Sequence, residues 1–338
     1  MKRIHSIDSF RFFAAFLVVT IHIPFPGKIG YIVGPLSRIA VPFFFMATGY
    51  FLWQKKVDLK KIQTQICKIF KMVILTNLFY LIWNIVLSFI DRKSIFEYIA
   101  GFFSLYNLKN TILFDASYFS GHLWYLSALL YLLIIYYFIL KTNTLHYSRK
   151  IIILLLLIDL VLGKYSIVLL GREFPYQYVR NFLFVGLPYF LIGGILHENI
   201  ERLERKKMSR LVIVLLCAFF GGTSVLGKYV LLRYHVSATR EHYLSTTFLV
   251  FAIFVFLLQY KDWFKDSFFE KAGREYSLII YIIHPIIIEI LERIVVINNN
   301  LIEKLYINLA PIIVFVFSYF LAVVWTKMKK HTNIKEFI

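Results

Sequence analysis

The sequence predicts an all-α, polytopic integral membrane protein with about ten transmembrane helices and both termini in the cytoplasm. Three observations predict this class. The 338 residues are 59% hydrophobic and only 17% charged, whereas soluble domains carry about 25% charged residues. The mean hydropathy is +0.70. Apolar runs such as 151–163 and 310–325 recur along the chain, and about 20 apolar residues cross a bilayer. Soluble enzymes, secreted disulfide scaffolds and disordered chains are excluded.

The N-terminus is interpreted as the first transmembrane helix. Lys2 and Arg3 precede an apolar run, as in a secretory signal peptide. Such a peptide ends at a small-residue cleavage site, but a proline-rich segment at 23–27 follows here. The ten predicted spans lie near residues 7–25, 32–53, 70–90, 121–140, 151–170, 179–197, 210–232, 243–260, 276–296 and 306–326.

The distribution of Lys and Arg predicts the orientation. With the N-terminus inside, the inner segments hold 24 basic residues and the outer segments hold 11, with three more in spans. Such an inside excess is typical of membrane proteins. The net charge of +19 is therefore assigned to topology and attraction to anionic lipid, not to nucleic-acid binding. The polar, aromatic segment 95–119 is predicted to be an extracytoplasmic loop or an interfacial helix.

The domain organisation is predicted to be simple. Residues 1–330 form a single transmembrane domain, and 331–338 are a short basic cytoplasmic tail or the start of a removed domain. The two cysteines, Cys67 and Cys217, lie in or beside apolar segments. They are interpreted as buried small apolar residues without a disulfide.

The first span holds three polar residues that are costly in a bilayer, Asp8, Arg11 and His22. Arg11 and His22 are eleven residues apart, about three helical turns, so they share one face at a separation of about 16 Å along the axis. Asp8 precedes Arg11 by three residues and is expected to pair with it. The shared face favours a joint function. The structural alternatives are an arginine that reaches the headgroups and a histidine that packs between helices.

Other polar residues predict a cavity that opens to the outside. In the ninth span Tyr281 and His284 share a stripe, and Pro285 is alternatively a structural kink. Arg38 is alternatively an interface anchor and Trp124 part of the aromatic belt, while Asp159 is a candidate without definite spacing. The predicted acceptor-side residues are Arg38, His122, Trp124, Arg180, His284 and Glu289.

The inner mouth is predicted to bind an anion. Arg11 and the lysines of 55–71, Lys60 and Lys61 among them, would supply the positive charge. This division favours a phosphate-bearing donor inside and an acceptor outside. No metal-ligand or nucleotide-loop signature is present in the sequence, so no metal and no bound cofactor are expected.

Four ordered stretches resemble the blocks of a known family. They read IDSFRFFAAFLVVTIH at 7–22, RIAVPFFFMATGYFLW at 38–53, HLWYLSALLY at 122–131 and SLIIYIIHP at 277–285. These blocks resemble the acyltransferase-3 family of membrane proteins over essentially the whole chain. Members move an acyl group, commonly acetyl, from cytoplasmic acyl-CoA to a hydroxyl of an extracytoplasmic sugar or glycan.

The resemblance implies roles for particular residues. His22 would be a general base or transient acyl carrier, and Arg11 would contact the CoA end of the donor. Arg38, His122 and Trp124 would complete the acceptor side. The chemistry agrees, because a neutral imidazole can take a hydroxyl proton near pH 7 and a guanidinium suits phosphate or a polarised thioester carbonyl. The implied location is the bacterial cell membrane.

The first two blocks also resemble the membrane domain of VanT-type serine racemases of vancomycin-resistant enterococci. That domain is associated with supplying L-serine to an attached pyridoxal-phosphate racemase domain. The chain as given is not expected to racemise an amino acid itself. The alternative hypothesis is therefore serine uptake or supply to a fused or partner racemase domain, with no acyl donor.

Overall fold

The computed structural model describes residues 3–53, 58–117, 119–236, 242–297 and 300–331, and every regular element in these ranges is a helix. The described residues form two compact units. The first unit contains the described residues of 1–44, 199–237 and 241–337, and the second contains those of 45–198. Residues 332–338 of the predicted tail lie outside the described ranges.

The α-helices are numbered along the chain. They are α1 (His5–His22), α2 (Gly27–Ser37), α3 (Ala40–Leu52), α4 (Leu59–Ile90), α5 (Ile95–Phe102), α6 (Leu105–Phe114), α7 (Trp124–Lys141), α8 (Leu145–Lys150), α9 (Ile152–Leu162), α10 (Ser166–Leu170), α11 (Tyr176–Val179), α12 (Leu187–Glu198), α13 (Ile200–Arg205), α14 (Arg210–Arg233), α15 (Leu244–Gln259), α16 (Phe268–Ile297) and α17 (Asn300–His331). A 3₁₀ turn, Gly121–Leu123, precedes α7, and a π-helical turn, Phe182–Gly186, precedes α12.

In the first unit, α1 packs along α16, which also packs against α17. The approach is closest at Gly273, where an added Cβ would overlap the Asp8 carbonyl oxygen and lie 2.8 Å from the Phe12 amide nitrogen. Small residues permit such close packing between membrane helices. The apolar core of this contact comprises Ala15, Val19, Ala272, Tyr276, Ile280, Ile287, Val314, Phe315 and Ala322.

The remaining helices of the first unit are joined by polar contacts as well as by packing. Ser224 of α14 and Ser245 of α15 are hydrogen-bonded through their hydroxyls at 2.8 Å. The Ser6 hydroxyl of α1 donates to the Leu257 carbonyl oxygen of α15 at 2.6 Å. Because these groups are buried or half-buried, their mutual bonds avoid the cost of an unsatisfied polar atom.

In the second unit, glycines bring α3 and α12 together. A Cβ on Gly49 would overlap the Phe190 carbonyl oxygen, and one on Gly193 would overlap that of Met46. The Trp53 indole N–H, just after α3, donates to the Glu198 carboxylate at 2.9 Å. The two glycines therefore set this helix contact by the same small-residue rule.

Six helical stretches of the described chain are long and apolar enough to cross a membrane. Two shorter apolar helices, α9 and α15, coincide with further predicted spans. The all-helical membrane character is thus confirmed, while the total of ten spans and the cytoplasmic termini stay predictions. The six stretches are Gly27–Leu52, Leu59–Ile90, Gly121–Lys141, Tyr176–Glu198, Arg210–Arg233 and Glu303–Lys329.

Three local expectations are refined. The predicted span 151–170 is two helices, because α9 ends at Leu162 and the next residue, Gly163, leaves the helical conformation with φ −93° and ψ −111°. Segment 95–119 contains the short helices α5 and α6. The prediction that both cysteines are buried is wrong for Cys67, which is exposed, while Cys217 is half-buried; Cys67 lies on the outward side of the apolar helix α4.

Candidate active site

The N-terminal end of α1 carries a network of charged groups. The predicted pairing of Asp8 with Arg11 is confirmed, at 2.7 Å between Oδ1 and Nη1. The other carboxylate oxygen of Asp8 accepts from Arg3 Nε at 3.0 Å. Asp8 is buried, and both of its oxygens accept charge-assisted hydrogen bonds from arginine. Arg11 is thus oriented by a buried carboxylate.

Glu270, near the start of α16, extends this network to a second helix. It contacts Arg3 Nη2 at 3.1 Å and His5 Nδ1 at 2.9 Å, and Arg274 Nη1 at 3.4 Å. Burial raises the Glu270 pKa, but the hydrogen bonds from His5 and the Asp266 N–H and the charges of His5 and Arg3 outweigh it. The net result is a Glu270 pKa below its ordinary value. The carboxylate form therefore clamps α16 to the start of α1.

The opposite end of α1 holds a pair of histidines. The His22 ring, at the last residue of α1 and exposed, lies 4.9 Å from the His284 ring between centroids, with the planes tilted by 54°. His284 is 0% exposed. Its Nδ1 lies 3.1 Å from the Ile280 carbonyl oxygen, an acceptor, so Nδ1 carries the proton and Nε2 is the basic nitrogen of the neutral ring. A solvent-accessible imidazole thus rests on a buried one of defined tautomer.

The neighbours of this pair agree in part with the predicted stripe. The Tyr281 ring lies 6.4 Å from that of His284, which confirms that the two share a face of α16. Pro285 lies inside α16 without ending it. Glu289 is half-buried farther along the same helix. The tertiary contact thus joins His22 to α16 through His284.

Arg38 lies at the C-terminal end of α2, where it is half-buried. A residue that the sequence did not single out, Lys228 of α14, lies within electrostatic reach of it. The Lys228 Nζ donates to the Gly30 carbonyl oxygen at 3.2 Å and lies 4.8 Å from the Tyr31 ring centroid. These contacts anchor α14 to α2 with a cation instead of apolar packing alone.

In the second unit, Trp124 and Arg180 lie in one cluster of rings, and the His122 ring lies 5.0 Å from the Tyr80 ring between centroids. The Arg180 guanidinium carbon is 3.9 Å from the Tyr176 ring centroid and 4.9 Å from that of Trp124. His122 Nδ1 is 2.7 Å from the Ser120 hydroxyl. Trp124 is only 5% exposed, so it does not belong to an aromatic belt in contact with lipid headgroups. Its ring instead holds Arg180 by a cation–π contact.

Asp115 is a functional candidate that sequence reasoning missed. Its carboxylate is fully buried and accepts from the Phe182 N–H at 2.7 Å. Burial raises the Asp115 pKa well above its ordinary value, although the Phe182 hydrogen bond and the Arg180 charge lower it. A loop aspartate between α6 and the 3₁₀ turn carries no spacing signal in the sequence. Only its burial beside the π-helical turn makes it unusual.

The predicted site residues are therefore brought together in separate groups. The first unit holds Arg11, His22, Arg38, His284 and Glu289. The second holds His122, Trp124 and Arg180, together with Lys60 and Lys61, which are exposed at the start of α4. Asp159 is buried within α9. Within the first unit, the continuous helix α1 keeps the Arg11 and His22 positions about 16 Å apart along its axis.

This geometry suits proton transfer at one end of α1 and anion binding at the other. A neutral histidine accepts a proton from a hydroxyl, and an arginine binds phosphate through several N–H groups. Among the described residues, no three His, Cys, Asp or Glu side chains are grouped as metal ligands.

Residues 4–326 match a family of acyltransferase domains, acyltransferase-3. Among curated proteins, an amino-acid racemase of Enterococcus faecalis is 24% identical over 361 aligned positions, which cover 99% of this chain and 47% of that protein. A serine/alanine racemase of Enterococcus gallinarum is 25% identical over 335 positions, 91% of this chain and 45% of the relative. The chain thus spans about half the length of these curated relatives. No solved structure matches it.

Proposed function

Because the chain belongs to the acyltransferase-3 family over residues 4–326, we propose that it is a membrane O-acyltransferase. It moves an acyl group, commonly acetyl, from cytoplasmic acyl-CoA to a hydroxyl of an extracytoplasmic glycan or cell-envelope acceptor in a bacterial cell membrane. The observation that carries the proposal is the exposed His22 ring resting 4.9 Å from buried His284. An accessible imidazole supported by a second one is suited to take a hydroxyl proton.

In the proposed step, His22 acts as general base. It takes the proton of the acceptor hydroxyl while that oxygen attacks the thioester carbonyl carbon. The new C–O bond forms, the C–S bond breaks, and the CoA thiolate receives the proton from His22. No electrons are gained or lost. His284 orients the His22 ring, because its own orientation is set by the Ile280 carbonyl oxygen at 3.1 Å.

Arg11 has a different proposed role because it lies too far from His22 to share one carbonyl group. About 16 Å along α1 separates the two positions, so Arg11 holds a phosphate-bearing part of the donor while His22 meets the thioester. The Asp8 contact at 2.7 Å fixes the guanidinium direction. The second unit by itself holds a candidate sugar contact, because its Arg180, Trp124 and Tyr176 cluster combines aromatic rings with a guanidinium donor.

The experiment is acyl transfer from radiolabelled acetyl-CoA by membranes that contain the wild-type chain or His22→Ala. We expect a loss of about 10²-fold or more, the usual contribution of a general base, with unchanged amounts of folded protein. His146→Ala, an exposed histidine of α8, is the matched control and should retain full activity. Transfer that persists in His22→Ala would overturn this role.

A second candidate function is the supply of L-serine to a racemase. It is favoured by the names of the relatives, an amino-acid racemase and a serine/alanine racemase, each covered to about half its length. In this role the chain would be the membrane part of a vancomycin-resistance racemase system, with a fused or partner racemase domain. It would take up serine and would need no acyl donor.

The two candidates are separated by thermal unfolding of the purified chain in detergent. A ligand at 100 times its Kd stabilises the folded state by about 2.7 kcal/mol. Stabilisation by acetyl-CoA that is absent in Arg11→Ala supports acyl transfer. Stabilisation by L-serine alone, equal in wild type and Arg11→Ala, supports serine supply and contradicts the role given to Arg11.

A further inference from the structure

A cavity of ≈ 550 Å³ lies in the first unit, away from the histidine pair. It is lined by Glu204 of α13, the turn before α14, the first residue of α14, the last two residues of α15 and the segment that follows α15. This volume is within the range of small-molecule sites. The lining residues of 204–210 and 261–264 belong to stretches predicted to be cytoplasmic from their basic residues, the side on which a CoA donor is found.

Two cations in this cavity are held by one aromatic ring. Lys207 Nζ lies 4.1 Å, and the Arg210 guanidinium carbon 4.9 Å, from the Tyr260 ring centroid. The Tyr260 hydroxyl donates to the Met208 carbonyl oxygen at 2.8 Å, which fixes the ring. Two positive groups are therefore held at this ring before any ligand binds, and both line the cavity, where they attract an anion.

The turn that carries Lys207 is itself rigidly held. The buried Gln259 side chain donates to the carbonyl oxygens of Leu203 and Lys206 at 2.9 and 3.2 Å and accepts from the Met208 N–H at 3.1 Å. All three bonds go to the backbone. The positions of the cations are thus preorganised, which lowers the entropy lost on binding.

The charge balance of the cavity favours an anion. Its lining contains three cations and two carboxylates. One carboxylate, Glu204, is paired with Lys261, so it does not neutralise Lys207 or Arg210. Beside them the Trp263 ring packs against Phe264 and Phe256 but is still 40% exposed. Phosphate-binding cations next to a part-exposed aromatic ring are what a nucleotide requires.

The cavity also lies at the Arg11 end of α1. The Ser6 N–H donates to the carbonyl oxygen of Lys261, a cavity residue, at 2.9 Å. Ser6 precedes Arg11 by five residues, about 7.5 Å along the helix. A ligand in the cavity would therefore approach the arginine that we assign to the donor and not His22.

We propose that this cavity binds the phosphorylated adenosine end of the CoA donor, with Lys207 and Arg210 on its phosphates and Trp263 against its ring. This inference rests on the proposed acyl transfer and adds a donor subsite to it. An anionic lipid headgroup has the same phosphate chemistry, and tryptophan beside cations is common at a membrane surface. The ring contact to Trp263 favours the nucleotide.

The test compares a double variant, Lys207→Gln with Arg210→Gln, against wild type. The matched control is Arg205→Gln with Lys206→Gln, which removes the same charge from exposed side chains of the same turn that do not line the cavity. Binding of acetyl-CoA, acetyl-pantetheine and adenosine 3′,5′-bisphosphate is measured by calorimetry in uncharged detergent. Trp263→Leu is measured with the same probes.

We expect the cavity variant to bind acetyl-CoA and the bisphosphate about tenfold or more weakly, since two charge-assisted contacts are lost. Its affinity for acetyl-pantetheine, which lacks the nucleotide, should be unchanged, and so should every affinity of the control. Trp263→Leu should weaken the two adenosine ligands only.

Three results would overturn the inference, and they differ from one another. If acetyl-CoA binds wild type and the cavity variant equally, the subsite assignment is wrong while the proposed acyl transfer stands. If wild type binds no acetyl-CoA, both fail. Repeating the titration with added phosphatidylglycerol distinguishes a lipid headgroup from a nucleotide. If the lipid competes with acetyl-CoA and the bisphosphate does not bind, the cavity binds a headgroup and the nucleotide assignment is wrong.

Discussion

The polar residues at the two ends of the apolar helix α1 have different kinds of partner. At the N-terminal end, Arg11 is charged and its partner Asp8 is itself paired with Arg3, within a network that reaches Glu270. At the C-terminal end, His22 lies beside a second histidine, His284, with 4.9 Å between the ring centroids. One end is held by opposite charges and the other by two rings.

The difference fits the separate roles that we propose for the two residues. A ring contact with a second histidine suits a proton acceptor, because an imidazole can take up and release a proton near neutral pH. An arginine with a fixed carboxylate partner keeps its direction and its charge. The same helix can thus carry an anion contact and a base without the two interfering.

The largest expected effect comes from a substitution that forces α1 away from α16. It would disturb both the charged network at the start of α1 and the histidine pair at its end. Gly273→Ala places a Cβ against the Asp8 carbonyl oxygen and 2.8 Å from the Phe12 nitrogen. We expect a loss of about 1–3 kcal/mol or more in unfolding free energy, as for other overpacked sites. The measurement is the temperature at which detergent-purified protein aggregates.

The matched control for this substitution is Gly222→Ala. Gly222 lies in α14 with no atom near its would-be Cβ, and alanine is the better helix former by about 1 kcal/mol. It should leave stability unchanged or raise it. Equal unfolding temperatures for Gly273→Ala and wild type would show that the two helices separate easily and that the close approach does not hold the site.

The second prediction changes only the His22–His284 pair at the C-terminal end of α1. His284→Phe keeps a ring of similar size in the buried position but removes both nitrogens. We expect kcat for acyl transfer to fall about tenfold to a hundredfold, less than for loss of the base itself. The pH profile of kcat/KM should also shift, which a purely structural role would not produce.

His284→Gln provides the rescue, because its amide retains a polar atom in place of the ring nitrogens. It should recover part of the rate lost in the phenylalanine variant. An unchanged pH profile in His284→Phe, together with no difference between the two variants, would contradict the positioning role of His284.

The smallest expected effect concerns the charged end and depends on pH. The Glu270 pKa lies below its ordinary value of 4.5, since the bonds and charges of His5 and Arg3 outweigh burial. Its contribution to the unfolding free energy is therefore complete above about pH 4.5 and is lost as the pH falls through the lower folded-state pKa. Wild type should lose thermal stability between pH 6 and 3.

Between pH 6 and 3, Glu270→Gln should lose less thermal stability than wild type. At pH 6 it should be less stable than wild type. Glu97→Gln, an exposed glutamate of α5, removes the same charge and should follow wild type. If the wild-type and Glu270→Gln curves run parallel from pH 6 to 3, the network does not stabilise the fold through this carboxylate.

Contacts in the candidate site could be predicted from the sequence where both residues lie on one helix. The Asp8–Arg11 pair and the Tyr281–His284 stripe follow from spacings of three residues, because a helix returns to the same face every 3.6 residues. Arg3, His5 and Glu270 were missed because their partners lie on different helices. Lys228 and Asp115 were missed because neither stands out from its neighbours in the sequence.

Sequence alone predicts the helical class, the membrane character and the shared face of Arg11 and His22, because hydropathy and helical periodicity are local properties. Only the tertiary structure shows that the His284 ring lies beside His22, that Glu270 contacts Arg3 and His5 from α16, and that Lys207 and Arg210 share the Tyr260 ring. Such contacts join residues far apart in the chain. They depend on where small residues such as Gly273 allow helices to meet, which no local pattern specifies.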